Sequence, residues 1–347
     1  MKQKIAIFTT ILAVLPLLLG CREKTKQHTF FAMDTVCSVQ LSDTKQSQEL
    51  LSRAEALVRK IEDEYSKTKE SGLPQKLTAA GGIITLDDEQ AAFFAQILSV
   101  CEMTGGTFDP TLGAVSALWD FGGENERVPS PAERAEALLH TGYQKLHLGG
   151  RTLRCDDPLL QLDLGGAAKG YAAQKLCEML QGQTDYAAIN LGGNIALLGE
   201  KTDGSPFTVG IRSPFDGGEL SGTLTLAAPA FLSVSGNYER FFEKDGKRYH
   251  HILSPKDGMP AENGVASVCV ISKDGALSDM LSTALFVMGA EKAAAFWQDN
   301  GSLFDAVIVL QNGKIFCSDS IVSAFRAADG TSAEPFSSML NDLEIGG

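Results

Sequence analysis

Hydrophobic and polar positions change rhythm several times along the chain, and each rhythm predicts an element. Residues 5–19 carry no charge, follow Lys2 and Lys4, and end in Leu18-Leu19-Gly20-Cys21 before the chain turns polar at Arg22. Fifteen residues rise about 22 Å as a helix, short of the roughly 30 Å hydrocarbon core of a bilayer. The run therefore reads as the apolar part of a signal peptide (1–20) rather than a permanent span. Residues 21–29 read as a polar tether. Residues 30–41 alternate with a period of two and predict one strand. Leu50, Ala54, Leu57, Val58 and Ile61 mark one face of a helix ending near Tyr65. A loop is expected over 66–82, then an amphipathic helix over 88–104. Further helices are predicted over 129–139, 168–180, 278–288 and 291–298. Runs rich in β-branched and apolar residues predict strands at 186–191, 207–212, 222–226, 231–234, 266–271 and 306–310. Residues 327–347 read as a tail that frays. Strands clustered late and mixed with helices favour one α+β domain over 30–326, with mixed sheets, packed helices and two lobes around a site, over a doubly wound parallel sheet.

Composition narrows the function. With 43 acidic against 30 basic side chains the net charge is −13, which argues against a nucleic-acid binder. Hydrophobic residues at 44% and charged residues at 21% exclude wholesale disorder and a polytopic membrane protein. Glycine makes up 35 of 347 residues and often occurs in pairs, as tight turns beside something bulky require. Beyond Cys21, the six cysteines form no C-x-x-C pair and have no histidine at zinc-ligand spacing, so they are expected as buried thiols without a catalytic role.

Four segments carry candidate chemistry. In QLDLGGAAKGYAAQKL (161–176) an apolar run ends at Asp163, a Gly-Gly turn follows, and a helix starts near Ala168. Such a helix start suits an anion, and Lys169 in its first turn opposes the helix dipole, so the reading is a phosphate site or a packing turn with a solvated lysine. In LSDMLSTALFVMG (277–289), Asp279 and Thr283 are four apart and share a helical face. They suit a hard cation, or Asp279 is simply a cap. Residues 233–260 read as strand, turn, helix fragment, a hairpin at Asp245-Gly246 and a further strand. His250 and His251 adjoin there, with Arg240, Lys247 and Arg248 as a local basic cluster for a phosphate. Neighbours on a strand face opposite sides, so only one histidine points into a site. In MTGGTFDPTLGAVSALWDFGG (103–123), Asp109 precedes proline, which favours an extended backbone and suits it to accept from a heterocycle or ribose; Trp119 and Phe121 are core or cofactor stack.

Taken together and in order, FAMDT, GGTFDPTLG, LDLGGAAKGYA, INLGGN, SGNYERFF, RYHHILSP and LSTALFVMG resemble the ApbE family, the FAD:protein FMN transferases, from about residue 31 to 316. The 18–21 segment resembles a lipobox, which implies acylation of Cys21 and a lipid anchor on the extracytoplasmic face of a bacterial membrane. The family resemblance implies a single α+β domain binding FAD and Mg²⁺. It also implies transfer of FMN to a serine or threonine of an acceptor, typically a membrane electron-transfer flavoprotein, with release of AMP. By position it assigns Met33, Thr107, Phe108, Asp109, Asp163 and Lys169 to the flavin nucleotide. Gly166 (by its carbonyl), Asp279 and Thr283 go to the metal, and His251 rather than His250 to the acceptor's proton. Two departures stand out. Ser254 occupies a position where the family usually has aspartate, and 66–75 matches poorly, so no flavin contact is assigned there. FAD hydrolysis to FMN and AMP, and FAD binding without turnover, are the competing readings.

Overall fold

The computed structural model describes residues 25–346 apart from 202, 216, 217, 329 and 331; the signal-peptide and Cys21 readings lie outside the described residues. Its spine is a nine-stranded sheet in the order Thr25–Ala32, Thr35–Ser42, Tyr186–Leu191, Asn194–Gly199, Ala230–Gly236, Val265–Ser272, Phe304–Leu310, Ile315–Cys317, Glu334–Pro335. Every neighbouring pair is antiparallel except the last. The α+β expectation holds, because the strands pair antiparallel almost throughout and the helices do not serve as crossovers between parallel neighbours.

Val265–Ser272 is buried at every position, and its side chains divide by parity. Val268 and Val270 join a core shared with the helices Ser47–Tyr65, Ala168–Leu180 and Gly275–Met288. Cys269 and Ile271 face the other way, into a second core closed by the three-stranded sheet of Phe207–Arg212, Leu220–Leu226 and Phe325–Ala327. A strand covered on both faces must be apolar throughout, whereas Thr35–Ser42, second from the sheet's edge, buries only Cys37, Val39 and Leu41. A third cluster forms around Val115, Trp119 and Leu253. Trp119 is fully buried, stacks on Phe121 with ring centroids 5.5 Å apart, and donates its indole N–H to the Gly258 carbonyl at 2.9 Å, so these aromatics are core. Among the described residues no helix is long and apolar enough to cross a membrane. The six described cysteines are free and buried, as expected.

Several expected elements change. The strand expected over 30–41 is a hairpin: the chain reverses at Met33-Asp34, both with positive φ (53° and 56°). Phe31, Met33, Cys37, Val39 and Leu41 keep an apolar period of two through the turn, and Asp34 alone marks it, so the pattern concealed the reversal. The first strand begins at Thr25, so most of the expected tether is sheet edge. The 66–82 loop contains a helix, Leu73–Ala79, started by Pro74. No helix fragment follows Gly236; Phe241–Lys244 and Lys247–His250 pair as a hairpin. The tail carries a helix, Phe336–Gly346, anchored by Phe336, which is fully buried and 5.7 Å edge-on from Trp297.

Candidate active site

Two glycine-bordered segments lie side by side. The Asp163 backbone N–H donates to the Pro110 carbonyl at 2.7 Å, and Leu112 bridges Gln161 in parallel, which brings the 107–113 stretch against the Gly-Gly turn. The Asp163 carboxylate accepts from Lys67 Nζ at 2.6 Å, Ser116 Oγ at 2.9 Å and the Gly165 N–H at 3.0 Å. Burial alone pushes this carboxyl up, but the lysine and the other donors outweigh it and hold it below the usual carboxylate range, so it is anionic. Lys67 is a site residue that sequence reasoning missed. It lies 96 residues from Asp163 in a polar loop, with no periodicity or spacing to mark it.

The helix Ala168–Leu180 crosses Gly275–Met288 at two glycines. A Cβ on Gly170 would overlap the Gly275 carbonyl oxygen and come within 2.6 Å of Asp279 Cβ, while one on Gly275 would sit 2.5 Å from the Gly170 carbonyl oxygen. This close approach lets the Gly170 N–H donate to buried Asp279 Oδ2 at 2.8 Å. Asp279 is not the helix cap; Asp274 is, accepting from the Leu277 N–H at 2.8 Å. At Gly166 a Cβ would meet Thr283 Oγ1 at 3.2 Å and Phe108 Cε2 at 3.3 Å, so the turn lies directly against Thr283. Ser235 Oγ is 2.7 Å from Ser282 Oγ and 3.4 Å from Thr283 Oγ1, a hydroxyl chain running into the same corner. Gly170→Ala is therefore expected to destabilise the fold by about 1–3 kcal/mol through overpacking and to lower activity by displacing Asp279. Chemical denaturation with an activity assay checks this; a fully stable, fully active variant would show the contact to be incidental.

His250 and His251 point to opposite sides. His250 is buried edge-on against Phe286, and burial lowers its pKa to about 4. His251 Nδ1 lies 3.2 Å from the Arg240 carbonyl oxygen, which can only accept. Nδ1 therefore carries the proton, and Nε2 keeps a free lone pair. Burial first, then the positive charges of Arg240 and Lys169, lower the His251 pKa to about 3, so the ring is neutral. This carbonyl gives His251 the orientation that the missing aspartate at Ser254 does not; the Ser254 hydroxyl instead accepts from the Lys256 N–H at 3.2 Å. Lys169 Nζ donates to the Gly165 carbonyl at 3.0 Å and makes no ion pair among the described residues.

The sequence profile of the ApbE family matches residues 33–308, which includes every site residue described above. The chain belongs to the ApbE family. A FAD:protein FMN transferase of Treponema pallidum (strain Nichols) is 32% identical over 316 residues, covering 85% of this chain and 87% of its own length. One from Klebsiella pneumoniae (strain 342) is 34% identical over 275 residues, 78% and 84% of the two chains. The crystal structure of the ApbE protein of Thermotoga maritima matches with a TM-score of 0.80 at 31% identity, over 86% of this chain and 99% of that one. The apo form of the flavinyl transferase ApbE of Pseudomonas stutzeri gives 0.76 at 29%, over 87% and 97%.

Other expected site residues fare differently in this ApbE chain. Asp109 is already engaged: it accepts from the Thr111 hydroxyl at 2.6 Å and N–H at 2.9 Å, and from the Tyr143 N–H at 3.0 Å. Burial raises its pKa against these donors. These contacts make it a pin for the loop. Thr107 donates its hydroxyl to the Thr104 carbonyl at 3.0 Å, and Phe108 is buried beside Gly166. Met33 sits in the left-handed hairpin turn, partly buried against the main core. The helix start is not an open N–H cradle, because the Gly165 N–H is taken by Asp163 and that of Gly170 by Asp279. The basic cluster disperses as well. Lys247 pairs with Glu262 at 2.8 Å and Arg248 with Glu243 at 3.3 Å, which leaves Arg240, loosely paired with Asp34 at 3.9 Å, beside His251.

Proposed function

We propose that this protein transfers FMN from FAD to a serine or threonine hydroxyl of an acceptor protein and releases AMP. The observation that carries this reading is His251: a neutral ring whose Nδ1 is committed to a backbone carbonyl and whose Nε2 is free to accept a proton. In this step the acceptor oxygen forms a bond to the FMN-side phosphorus and the diphosphate P–O bond breaks. AMP leaves with the bonding pair, and the hydroxyl proton passes to His251 Nε2.

The donor set of the Gly166–Asp279–Thr283 corner fits Mg²⁺. Among the described residues there is no group of three or more His, Cys, Asp or Glu side chains able to hold a metal. One carboxylate (Asp279), one hydroxyl (Thr283) and the Gly166 carbonyl would be its protein ligands, all oxygen, as a hard cation that keeps several waters prefers. Bound there, Mg²⁺ would offset the charge of the diphosphate as its bridge opens. Lys169, which makes no ion pair among the described residues, supplies further positive charge toward the substrate. Asp163, kept anionic and fixed by Lys67 and Ser116, is an acceptor for donors on the flavin nucleotide.

The export reading belongs to the same proposal. Residues 1–21 would place the domain outside the cytoplasm on a Cys21 lipid anchor, near acceptors in membrane electron-transfer complexes; a diacylated cysteine holds firmly where one short chain does not. The protein incubated with FAD, Mg²⁺ and a candidate acceptor should add one FMN-phosphoryl mass to an acceptor hydroxyl residue and release AMP. AMP formed at the same rate without acceptor, with no adduct on any authentic acceptor, would favour hydrolysis instead.

A further inference from the structure

We infer that the tip of the first hairpin, with Phe31 and Val36, and the neighbouring Arg240–Lys244 segment form the docking surface for the acceptor protein, which lies there as an extended, acid-containing segment. This rests on the transferase reading above. Phe31 and Val36 face each other across the hairpin in register, and both are exposed, at 63% and 55%. Residues of this kind at the rim of a sheet normally turn inward, as Phe30 and Ala32 on the same strand do. The first strand is also the outer edge of the nine-stranded sheet, so its far side offers backbone N–H and C=O groups to an added strand.

Two contacts connect this apolar pair to the chemistry. Asp34, in the turn between the two strands, lies 3.9 Å from Arg240, and the Arg240 carbonyl oxygen lies 3.2 Å from His251 Nδ1. A segment seated on Phe31 and Val36 is thus continuous with the histidine that must meet its hydroxyl. The next side chain, Phe241, is 38% exposed and capped by the Arg248 guanidinium 4.1 Å from its ring centroid, which extends the apolar strip past the site.

Charge selects the occupant. The whole chain is acidic, yet residues 240–248 hold Arg240, Lys244, Lys247 and Arg248 against Glu243 and Asp245. Lys247 and Arg248 are paired, whereas Arg240 is held only loosely and Lys244 makes no ion pair among the described residues. A segment with apolar residues flanking its hydroxyl and a carboxylate next to them satisfies both the strip and the two available cations. A second copy of this acidic chain would bring net repulsion to the same place.

The test is a Phe31→Ser/Val36→Ser double variant of the full chain, with Lys244→Glu as a second variant. Each is assayed for KM toward the acceptor, kcat at saturating acceptor, and FAD affinity by flavin fluorescence. The double variant is expected to raise the acceptor KM about tenfold, with FAD affinity and saturated kcat within about twofold of the parent. Lys244→Glu is expected to raise the same KM mainly at low salt. A photo-cross-linking residue at position 31 should capture the acceptor. An unchanged acceptor KM in the folded double variant, an equal loss of FAD affinity, or cross-links only to a second copy of the chain would overturn the inference. If the parent protein makes no adduct at all, the transferase reading fails; if the parent transfers FMN and the variants match it, only the docking surface fails.

Discussion

Replacing Asp279 with asparagine should lower turnover by ~10³-fold or more while leaving the protein folded. The isosteric amide oxygen still accepts from the Gly170 N–H, so the helix crossing keeps its 2.8 Å contact and that buried donor keeps its acceptor. What disappears is the negative charge, and with it the one carboxylate in the Gly166–Asp279–Thr283 corner. Each ~1.4 kcal/mol of lost transition-state stabilisation is about a factor of ten in rate, and a cation facing a breaking diphosphate is worth several kcal/mol. Asp279→Ala should lose comparable activity and also some stability, because the Gly170 N–H is then left buried without an acceptor. Rates titrated against Mg²⁺ check the assignment. Parental activity of Asp279→Asn at low Mg²⁺ would remove Asp279 from the metal site.

His251→Ala should leave FAD affinity near the parental value and slow transfer by ~10²–10⁴-fold, the usual range for a removed general base. The titration of His251 gives a sharper check. Its pKa is lowered to about 3 by burial and by the charges of Arg240 and Lys169, so in the free protein the ring stays neutral across the working pH range. The FAD diphosphate brings negative charge to Lys169 and Arg240 and offsets the part of the shift they cause. An anion stabilises the protonated ring, so the sign is upward: the His251 pKa should rise on FAD binding, and the ring should become a stronger base when the substrate is in place. NMR titration of the histidine ring protons with and without FAD measures this, with His251→Ala for assignment. No upward movement would remove His251 from the neighbourhood of the diphosphate. His250→Ala should cost stability through the space left beside Phe286 while transfer persists in the folded fraction. An equal fall in kcat for both variants would undo the distinction between the two rings.

Alternation along the strand ending at His250 allowed only one of the two adjacent histidines to face the site, and the family resemblance singled out His251. Side-chain alternation is a local property, and the aromatic Phe286 and the Arg240 carbonyl lie on opposite sides of that strand. The i, i+4 pair Asp279 and Thr283 was legible for the same reason, since a helix fixes which residues share a face. Lys67 and the contacts that hold Asp109 were not legible. Lys67 reaches Asp163 across 96 residues of chain, and Asp109 is occupied by donors from Thr111 and Tyr143 that no local pattern connects to it.

The hairpin at Met33-Asp34 and the helix anchored by Phe336 mark the same boundary in the fold. Period-two alternation gives strand character but not where a strand reverses, and the apolar side chains of a short C-terminal tail give no sign of the Trp297 ring that Phe336 meets. By itself the sequence determined the α+β class, most helices and strands, the buried thiols, and which chemistry-bearing residues share an element, because these follow from short-range periodicity and composition. Only the tertiary structure decided that Gly170 and Gly275 bring two helices together around Asp279, that a backbone carbonyl orients His251, and that Lys67 holds Asp163. Those contacts join residues far apart in the chain, and their free energy exists only once the chain has closed on itself.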